Sequence, residues 1–448
     1  MKTRDMTKGA PSRLILSFAV PLMLGNIFQQ LYTFVDTIIV GQKLGIHALA
    51  AMGATEWLSF LMFGFIQGIT QGFSVIISRR FGEGNKDLLQ QTIFNAYCAS
   101  IGVAIIFTVV GQILIYPILK LLQTPQEIID MAYLFLQILY AGVPISFAFN
   151  TLAGILRALG NSKAPLFAMI ISSLGNIILD IIFVVILELG IRGAAYGTVL
   201  AQIISTIYCV MAVKKIDLAH LDKGNKKLKI QIIKEQLQLG FPMGFQNIIT
   251  AMGGLVVQFI VNGFGILFIA GYTAANKLYG LLEIAASSYG YAISTYTAQN
   301  MGAGQKQRIR KGLSSALIIG VLTSLIMSGI MLAFGKPILN LFIKETEVAV
   351  DAAIQIGYHF LYILALFFPL LYCLYIIRSC IQGMGNSLLP MISSFIQVFM
   401  RVMCALVLTR AIGNTGVFWG EVLAWLGADI FLFLVFYHKY KNLTIVCK

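Results

Sequence analysis

The sequence contains few charged residues for its length. Only 11% of its 448 residues are charged, whereas an ordinary soluble domain has about 25%. Hydrophobic residues make up 58% of the chain, and the mean hydropathy is +0.85. This composition excludes a soluble enzyme, a disordered chain and a nucleic-acid-binding module as the class of protein.

Patterns that hold disulfides, metals or nucleotides are also missing. The cysteines form no CxxC pair and mostly lie in apolar stretches: Cys98, Cys209, Cys373, Cys380, Cys404 and Cys447. The four histidines show no ligand spacing, and no Gly-rich segment continues into the Lys-Ser or Lys-Thr of a phosphate loop. We therefore interpret the cysteines as packing residues, and we expect no disulfide framework, metal centre, cofactor or nucleotide.

What the sequence does contain is a series of long apolar runs. A membrane-spanning helix needs about 20 mostly apolar residues. Twelve runs meet this need: 14–40, 50–78, 92–116, 130–153, 164–187, 193–213, 237–262, 266–298, 314–335, 352–377, 388–409 and 416–438. The sequence therefore predicts an all-α polytopic membrane protein, with bends at the prolines inside the runs, Pro21, Pro144, Pro242 and Pro369.

The basic residues lie mostly on one side of these predicted helices. Of the 32 Lys and Arg, 24 lie in the terminal segments and in the loops on the same side as the termini, and six lie in the opposite loops. The positive-inside rule then places both termini in the cytoplasm of a cell whose plasma or inner membrane holds the protein. The net charge of +14 is interpreted as a topology signal that faces anionic lipid.

The chain consists of two similar halves. Pro21 and Pro242 are 221 residues apart, FGEGNKD at 81–87 matches MGAGQKQ at 301–307, and GNS at 160–162 matches GNS at 385–387. Each half has six helices, an even number, so the repeats share one orientation, as in transporters with two lobes around a central cavity. We predict an N-terminal lobe at 1–213, a cytoplasmic linker at 214–235 and a C-terminal lobe at 236–448.

Several segments resemble one transporter family. They are NIFQQLYTFVDTIIVGQKLG (26–45), LRALGNSKAP (156–165), GNIILD (175–180), GIRGAAYGT (190–198), TAQNMGAGQKQRI (297–309) and IQGMGNSLLP (381–390). Together they resemble the multidrug and toxic compound extrusion (MATE) transporters, and the pattern Asn176-x-x-x-Asp180 is similar to the DinF-like prokaryotic branch. The resemblance implies outward antiport of cationic, amphipathic drugs or toxic metabolites against inward Na⁺ or H⁺. We expect a monomer in the lipid bilayer.

Two acidic residues lie inside predicted helices of the N-terminal half. An ionisable group inside a membrane is costly, so Asp36 and Asp180 are candidate functional residues. Asn176 lies one turn before Asp180 on the same helix face, and Thr198 follows a Gly-rich turn. Their oxygens suit a hard cation such as Na⁺, and two carboxylates in a medium of low dielectric can instead share a proton. Alternatively, Asn176 forms a helix contact and Thr198 is a small packing residue.

The C-terminal half replaces these four residues. At the repeat offsets, Asp36 corresponds to Val257, Asp180 to Ala405, Asn176 to Arg401 and Thr198 to Glu421. We predict that Arg401 and Glu421 form a buried ion pair, a fixed cation where the N-terminal lobe binds a mobile one. Only the N-terminal lobe would then respond to ion occupancy.

Five residues are candidates for the substrate cavity: Gln29, Tyr32, Phe149, Glu283 and Tyr289. Aromatic rings bind amphipathic cations through cation–π contacts, and a carboxylate attracts them. Ordinary helix packing is the alternative interpretation for each aromatic residue.

Other functions fit less well. A lipid-linked oligosaccharide flippase shares this general architecture, but it would need several cationic residues in its cavity for the pyrophosphate. Only Lys277 and Arg401 lie deep in predicted helices, and Arg378 is interpreted as closing its helix at the cytoplasmic edge. An integral membrane enzyme would need a cluster of His or carboxylate residues, and a channel gives no reason for the paired lobes.

Overall fold

The computed structural model describes residues 3–342 and 347–439, and these residues form α-helices with no β-strand. The α-helices are α1 Pro11–Leu44, α2 Ile46–Glu83, α3 Lys86–Leu121, α4 Gln126–Ala141, α5 Val143–Ala158, α6 Lys163–Asp180, α7 Ile191–Lys214, α8 Ile230–Asn262, α9 Ile266–Gly302, α10 Lys306–Phe342, α11 Glu347–Gly383, α12 Leu388–Ile412 and α13 Gly416–Lys439. Cys447 and four of the counted basic residues, Lys2, Lys344, Lys441 and Lys448, lie outside the described residues.

The predicted architecture of twelve helical segments is confirmed. Each predicted run matches one helix, except that the fourth run is divided into α4 and α5, which meet at Gly142 with a bend of 47°. Among the described residues, nine helical stretches are long and apolar enough to cross a membrane, or ten if this bent pair is one span. One of the nine, Leu388–His438, holds both α12 and α13.

The prolines inside the runs affect the helices differently. Pro144 lies in the first turn of α5, directly after the break. There its missing N–H removes no helical hydrogen bond. Pro21, Pro242 and Pro369 instead lie inside continuous helices, α1, α8 and α11. Each of these removes one backbone hydrogen bond of its helix.

The chain divides into two compact units. The first unit contains Met1–Asp5 and Val20–Gly244, and the second contains Met6–Ala19 and Phe245–Lys448. Helices α1 and α8 therefore each contribute to both units. The domain boundaries drawn from the sequence, with a linker at 214–235, stay a prediction.

The first unit is built around α2, which contacts α3, α4 and α5. Glycines allow α2 and α8 to approach closely in this unit. A Cβ added to Gly68 would lie 2.5 Å from the backbone of Met243 and Gly244 on α8, and Gly72 similarly faces Gly240. Small residues at four-residue spacing allow helix backbones to approach in this way. Gly68 and Gly72 are therefore packing residues between α2 and α8.

The segment between α7 and α8 is hydrogen-bonded to α3. Asn225 Nδ2 donates to Asp87 Oδ1 at 2.9 Å and to Gln90 Oε1 at 2.8 Å. Farther along, Asn95 Nδ2 donates to the carbonyl of Lys227 at 3.1 Å, and Asn95 Oδ1 accepts from the Lys229 amide at 2.8 Å. Two short 3₁₀ turns, Asp217–Ala219 and Lys223–Asn225, shape this segment. It is an ordered part of the first unit.

The second unit has an aromatic core between α9, α11 and α13. The ring of Phe418 lies 5.6 Å from that of Phe268 and 5.0 Å from that of Phe360. Trp425 is fully buried beside Tyr279. The N-terminal segment also packs on this unit, because the Met6 amide donates to Gln299 Oε1 at 2.8 Å. The ring contacts pack α9, α11 and α13 against one another.

Candidate functional site

Two buried carboxyl groups meet inside the first unit. Asp36 on α1 is 6% exposed and Asp180, the last residue of α6, is 0% exposed. Their side chains lie within hydrogen-bonding reach of each other. The two helices approach closely because Gly25 on α1 lies against Met169 on α6, where an added Cβ would lie 2.5 Å from Sδ. The structure thus brings together two acids that are 144 positions apart in the sequence.

This acid pair has no basic partner within residues 3–342 and 347–439. Neither carboxyl forms a salt bridge there, since the ion pairs of the first unit involve Lys43, Arg79, Arg80 and Lys86 with other acids. Oδ1 of Asp36 and Oδ1 of Asp180 accept no hydrogen bond either. Two buried acids that share a site cannot both carry an uncompensated charge. The pair therefore requires a proton or a cation.

Asn176 and Thr198 complete this cluster. Asn176 is 1% exposed. In the amide orientation that satisfies both its groups, Nδ2 donates to Asp180 Oδ2 at 3.0 Å and Oδ1 accepts from the Thr198 amide at 3.2 Å; such orientations are assigned from the hydrogen-bond network. The Thr198 hydroxyl donates to the carbonyl of Ala194 at 3.1 Å. All four predicted coupling-ion residues thus lie within one polar cluster, which we call the acid-pair site.

A π-helical turn, Ile181–Ile186, follows Asp180 directly. Its wider hydrogen bonding is seen where the Leu187 amide donates to the carbonyl of Ile182 at 2.8 Å. Turns of this kind are rare and occur frequently at functional sites. Beyond it, Glu188 pairs with Lys43 at the end of α1 at 3.1 Å. The segment after the acid-pair site is therefore both irregular and tied to the helix that carries Asp36.

Gly197 on α7 is also a member of this site. A Cβ at this position would overlap Asp180 Oδ1, whereas a Cβ at Gly193 would press against the backbone of Phe183. Gly193 therefore packs, but Gly197 also leaves the space that the Asp180 carboxyl occupies. Its position directly before Thr198 was the signal in the sequence that could have identified it.

We expect Gly197→Ala to abolish the ion-coupled transport that the sequence predicts, with little loss of folded protein. The new methyl group would push the Asp180 side chain away from Asp36 and Asn176, because a side-chain carboxyl moves more easily than a helix backbone. The measurement is drug efflux from vesicles together with the thermal unfolding temperature. Gly102→Ala on α3 is the matched control, since a Cβ at Gly102 meets nothing within 4 Å. Equal transport by the two variants would contradict this role of Gly197.

The predicted cavity residues of the first unit are not all at the acid-pair site. Tyr32 lies one helical turn before Asp36, and its hydroxyl lies within hydrogen-bonding reach of the Gln29 side chain. Phe149 is half-buried on α5. Gln29 and Tyr32 are thus neighbours of the acids, while the role of all three in a substrate cavity stays a prediction.

In the second unit, Arg401 on α12 and Glu421 on α13 lie in contact. Arg401 Nη2 is 2.6 Å from Glu421 Oε2, and the two residues are 8% and 7% exposed. Glu283 on α9 accepts a hydrogen bond from the Tyr375 hydroxyl at 2.6 Å. Tyr289 is buried, and its hydroxyl is 2.9 Å from that of Thr323 on α10. The counterparts of Asn176 and Thr198 thus hold a permanent ion pair.

Two further buried charges of the second unit were undervalued from the sequence. Arg378 is 5% exposed; it donates to Ser393 Oγ at 3.2 Å and to Gln397 Oε1 at 2.9 Å. The interpretation of Arg378 as a residue at the helix edge is therefore wrong, because polar residues one turn apart on α12 hold it inside. Asp429 is 9% exposed, and neither carboxyl oxygen has a hydrogen-bond partner. The five described cysteines are free thiols: Cys98, Cys209, Cys373, Cys380 and Cys404.

Comparisons with known proteins concern the family and fold of the chain. The family model MatE matches residues 21–182 and 242–407, one block in each half. The chain is 28% identical over 453 residues to the probable multidrug resistance protein YpnP of Bacillus subtilis, covering 99% of both chains. It is 24% identical to the probable multidrug resistance protein NorM of Thermotoga maritima, over 86% of this chain and 82% of that protein.

A solved structure shows the same fold. The crystal structure of MATE in complex with MaL6 superposes with a TM-score of 0.92 at 23% identity, covering 99% of each chain. The paired match of the family model covers most of the chain, and three residues of the acid-pair site, Asp36, Asn176 and Asp180, lie within its first block. The chain therefore belongs to the MATE family of multi-span membrane transporters.

Proposed function

We propose that the protein is a secondary antiporter that exports cationic, amphipathic drugs or toxic metabolites in exchange for Na⁺ or H⁺. The observation that carries the proposal is the acid pair of Asp36 and Asp180, buried side by side without a basic partner in the described chain. Such a pair takes up a positive charge and releases it when conditions change. The relatives named as multidrug resistance proteins support export of drugs.

The coupling ion changes the charge of the site that joins α1, α6 and α7. Without the ion, the carboxyls of Asp36 and Asp180 repel each other, and with it they are drawn together. Since Asp36 is on α1 and Asn176 connects Asp180 to α7, occupancy alters how these helices pack. Ion and drug then oppose each other through a coupling free energy between two sites and need not share one.

The two candidate ions require different orientations of the Asn176 side-chain amide. In the orientation described above, its oxygen is used by the Thr198 amide and its nitrogen faces Asp180. A proton shared between the carboxyls requires no change in this arrangement. A Na⁺ ion would require the amide to turn, so that the Asn176 oxygen faces the ion with the carboxylate oxygens.

The proposal also includes the location, the oligomeric state and the absence of a cofactor. The charge count supports a cell-membrane location with cytoplasmic termini, and we propose a monomer with no cofactor besides the coupling ion. A flippase is not favoured, because the buried cations of the second unit are already engaged. Arg401 pairs with Glu421, and Arg378 is bound by Ser393 and Gln397.

The test is efflux of a fluorescent organic cation from vesicles that contain the purified protein, with the Na⁺ and pH gradients imposed separately. We expect one of the two inward gradients to drive efflux and its collapse to stop it. Efflux that proceeds equally with neither gradient would contradict antiport. Transport driven only by added ATP would contradict the proposed energy source.

A further inference from the structure

A groove on the first unit is not used by the proposed transport cycle. It has a volume of about 540 Å³ and lies between α3, α5 and α7, with the α7–α8 segment across one end. This volume falls in the range of about 300–1,000 Å³ that small-molecule sites occupy. None of the four acid-pair residues lines it. The groove is therefore a second site within the first unit, independent of the proposed function.

Most of the groove wall is apolar and open to the surroundings. Ile101 and Ile105 on α3 line it and are 61% and 57% exposed. The hydroxyls of Ser100 and Thr151 are 2.7 Å apart and satisfy each other, and Thr206 donates to the carbonyl of Gln202 at 2.6 Å. Because the hydroxyls of Ser100, Thr151 and Thr206 are already bonded, this part of the wall offers little to a polar ligand and suits a hydrocarbon chain.

One end of the groove is basic. Lys214, His220 and Lys226 line it there, and they lie on the membrane side that the charge count predicts to be cytoplasmic. The nearby acid Asp222 is paired with Lys86 at 3.4 Å, so it does not neutralise this end. The hydrogen bonds of Asn225 and Asn95 to their neighbours hold the segment that carries His220 and Lys226 in place.

We propose that this groove binds an anionic phospholipid, with one acyl chain between α3, α5 and α7 and the phosphate held by Lys214, His220 and Lys226. From Tyr97 to Ile105 the α3 wall rises about 12 Å, which is long enough for the upper part of an acyl chain. Basic pockets between transmembrane helices recognise anionic headgroups in this way. The proposal would hold even if the transported substrate were not a drug.

The test is native mass spectrometry of the purified protein with added phosphatidylglycerol or with phosphatidylcholine of the same acyl chains. We expect one phosphatidylglycerol to remain bound at concentrations where phosphatidylcholine does not. In the double variant Lys214→Gln/Lys226→Gln, phosphatidylglycerol should bind about 25-fold more weakly, since each lysine near an anionic lipid contributes about fivefold. Equal binding of the two lipids would overturn the proposal.

The matched control is Lys227→Gln/Lys229→Gln, which removes the same charge from exposed lysines that do not line the groove. We expect wild-type binding from this control, and an equal loss in both double variants would show general charge attraction and overturn the site. Ala148→Phe, which narrows the groove beside α5, should weaken binding of the chain while leaving the basic end intact. The lysine variants decide the question even if Ala148→Phe does not fold.

Discussion

Replacing Asp36 with asparagine is expected to reduce gradient-driven efflux to the rate of protein-free vesicles. The variant keeps the size of the side chain but removes the charge that attracts the coupling ion, so Asp180 remains as a single buried acid. Asp180→Asn should have the same effect, because either change leaves one carboxyl where the site has two. The measurement is efflux of a fluorescent cation under the gradient that drives the wild-type protein.

The control for these variants is Asp130→Asn, which makes the same Asp-to-Asn change at an exposed side chain on α4 of the same unit. Its efflux should match that of the wild-type protein. The amount of folded protein must also be equal for all variants. Full transport by Asp36→Asn would contradict the role of the acid pair, whatever the result for Asp130→Asn.

The second large effect is expected on the stability of the folded protein when the Arg401–Glu421 ion pair is broken. Arg401→Ala should lower the free energy of unfolding by about 3–5 kcal/mol, because it leaves Glu421 as an uncompensated buried charge. The double variant Arg401→Met/Glu421→Leu removes both charges and fills the space with apolar side chains. It should be close to the wild-type protein in stability. Both quantities are measured by unfolding in detergent with increasing denaturant.

Arg410→Ala is the control for this prediction, since it removes the same side-chain type from an exposed position on the same helix. Such surface changes usually alter stability by about 0.5 kcal/mol or less. The ion pair would have no structural importance if Arg401→Ala were no more destabilising than Arg410→Ala.

Both predictions follow from the different buried charges of the two units. We propose that the first unit binds a mobile cation at its two acids, whereas the second unit has Arg401 at the position that corresponds to Asn176 and pairs it with Glu421. A fixed guanidinium cannot leave, so the second unit is expected to be insensitive to ion occupancy. Variants of the acid pair should therefore alter transport, and variants of the ion pair should alter stability.

The helices could be predicted because their signal is local. Twenty consecutive apolar residues indicate a spanning helix without knowledge of its neighbours, and the repeat of Pro21 at Pro242 is visible in the letters alone. The break at Gly142 could not be located in the same way. Pro144 indicated a bend in the fourth run. An apolar run does not show, however, whether its proline begins a new helix or lies inside a continuous one.

The acid pair could be predicted because a buried charge stands out in an apolar helix. Gly197 and Arg378 could not, since their roles depend on residues that only the fold brings near. Gly197 matters through the Asp180 carboxyl, and Arg378 is held inside by Ser393 and Gln397 on another helix. The assignment to the DinF-like branch and the cytoplasmic location of the termini stay predictions.

The most direct test measures the coupling ion itself in the purified protein. A fluorescent drug is added to the detergent-solubilised protein while proton release is followed with a pH indicator and Na⁺ release with radioactive sodium. We expect the wild-type protein to release one of the two ions on drug binding and Asp36→Asn to release neither. Release of the same amount from both proteins would contradict the assignment of the exchanged ion to Asp36 and Asp180.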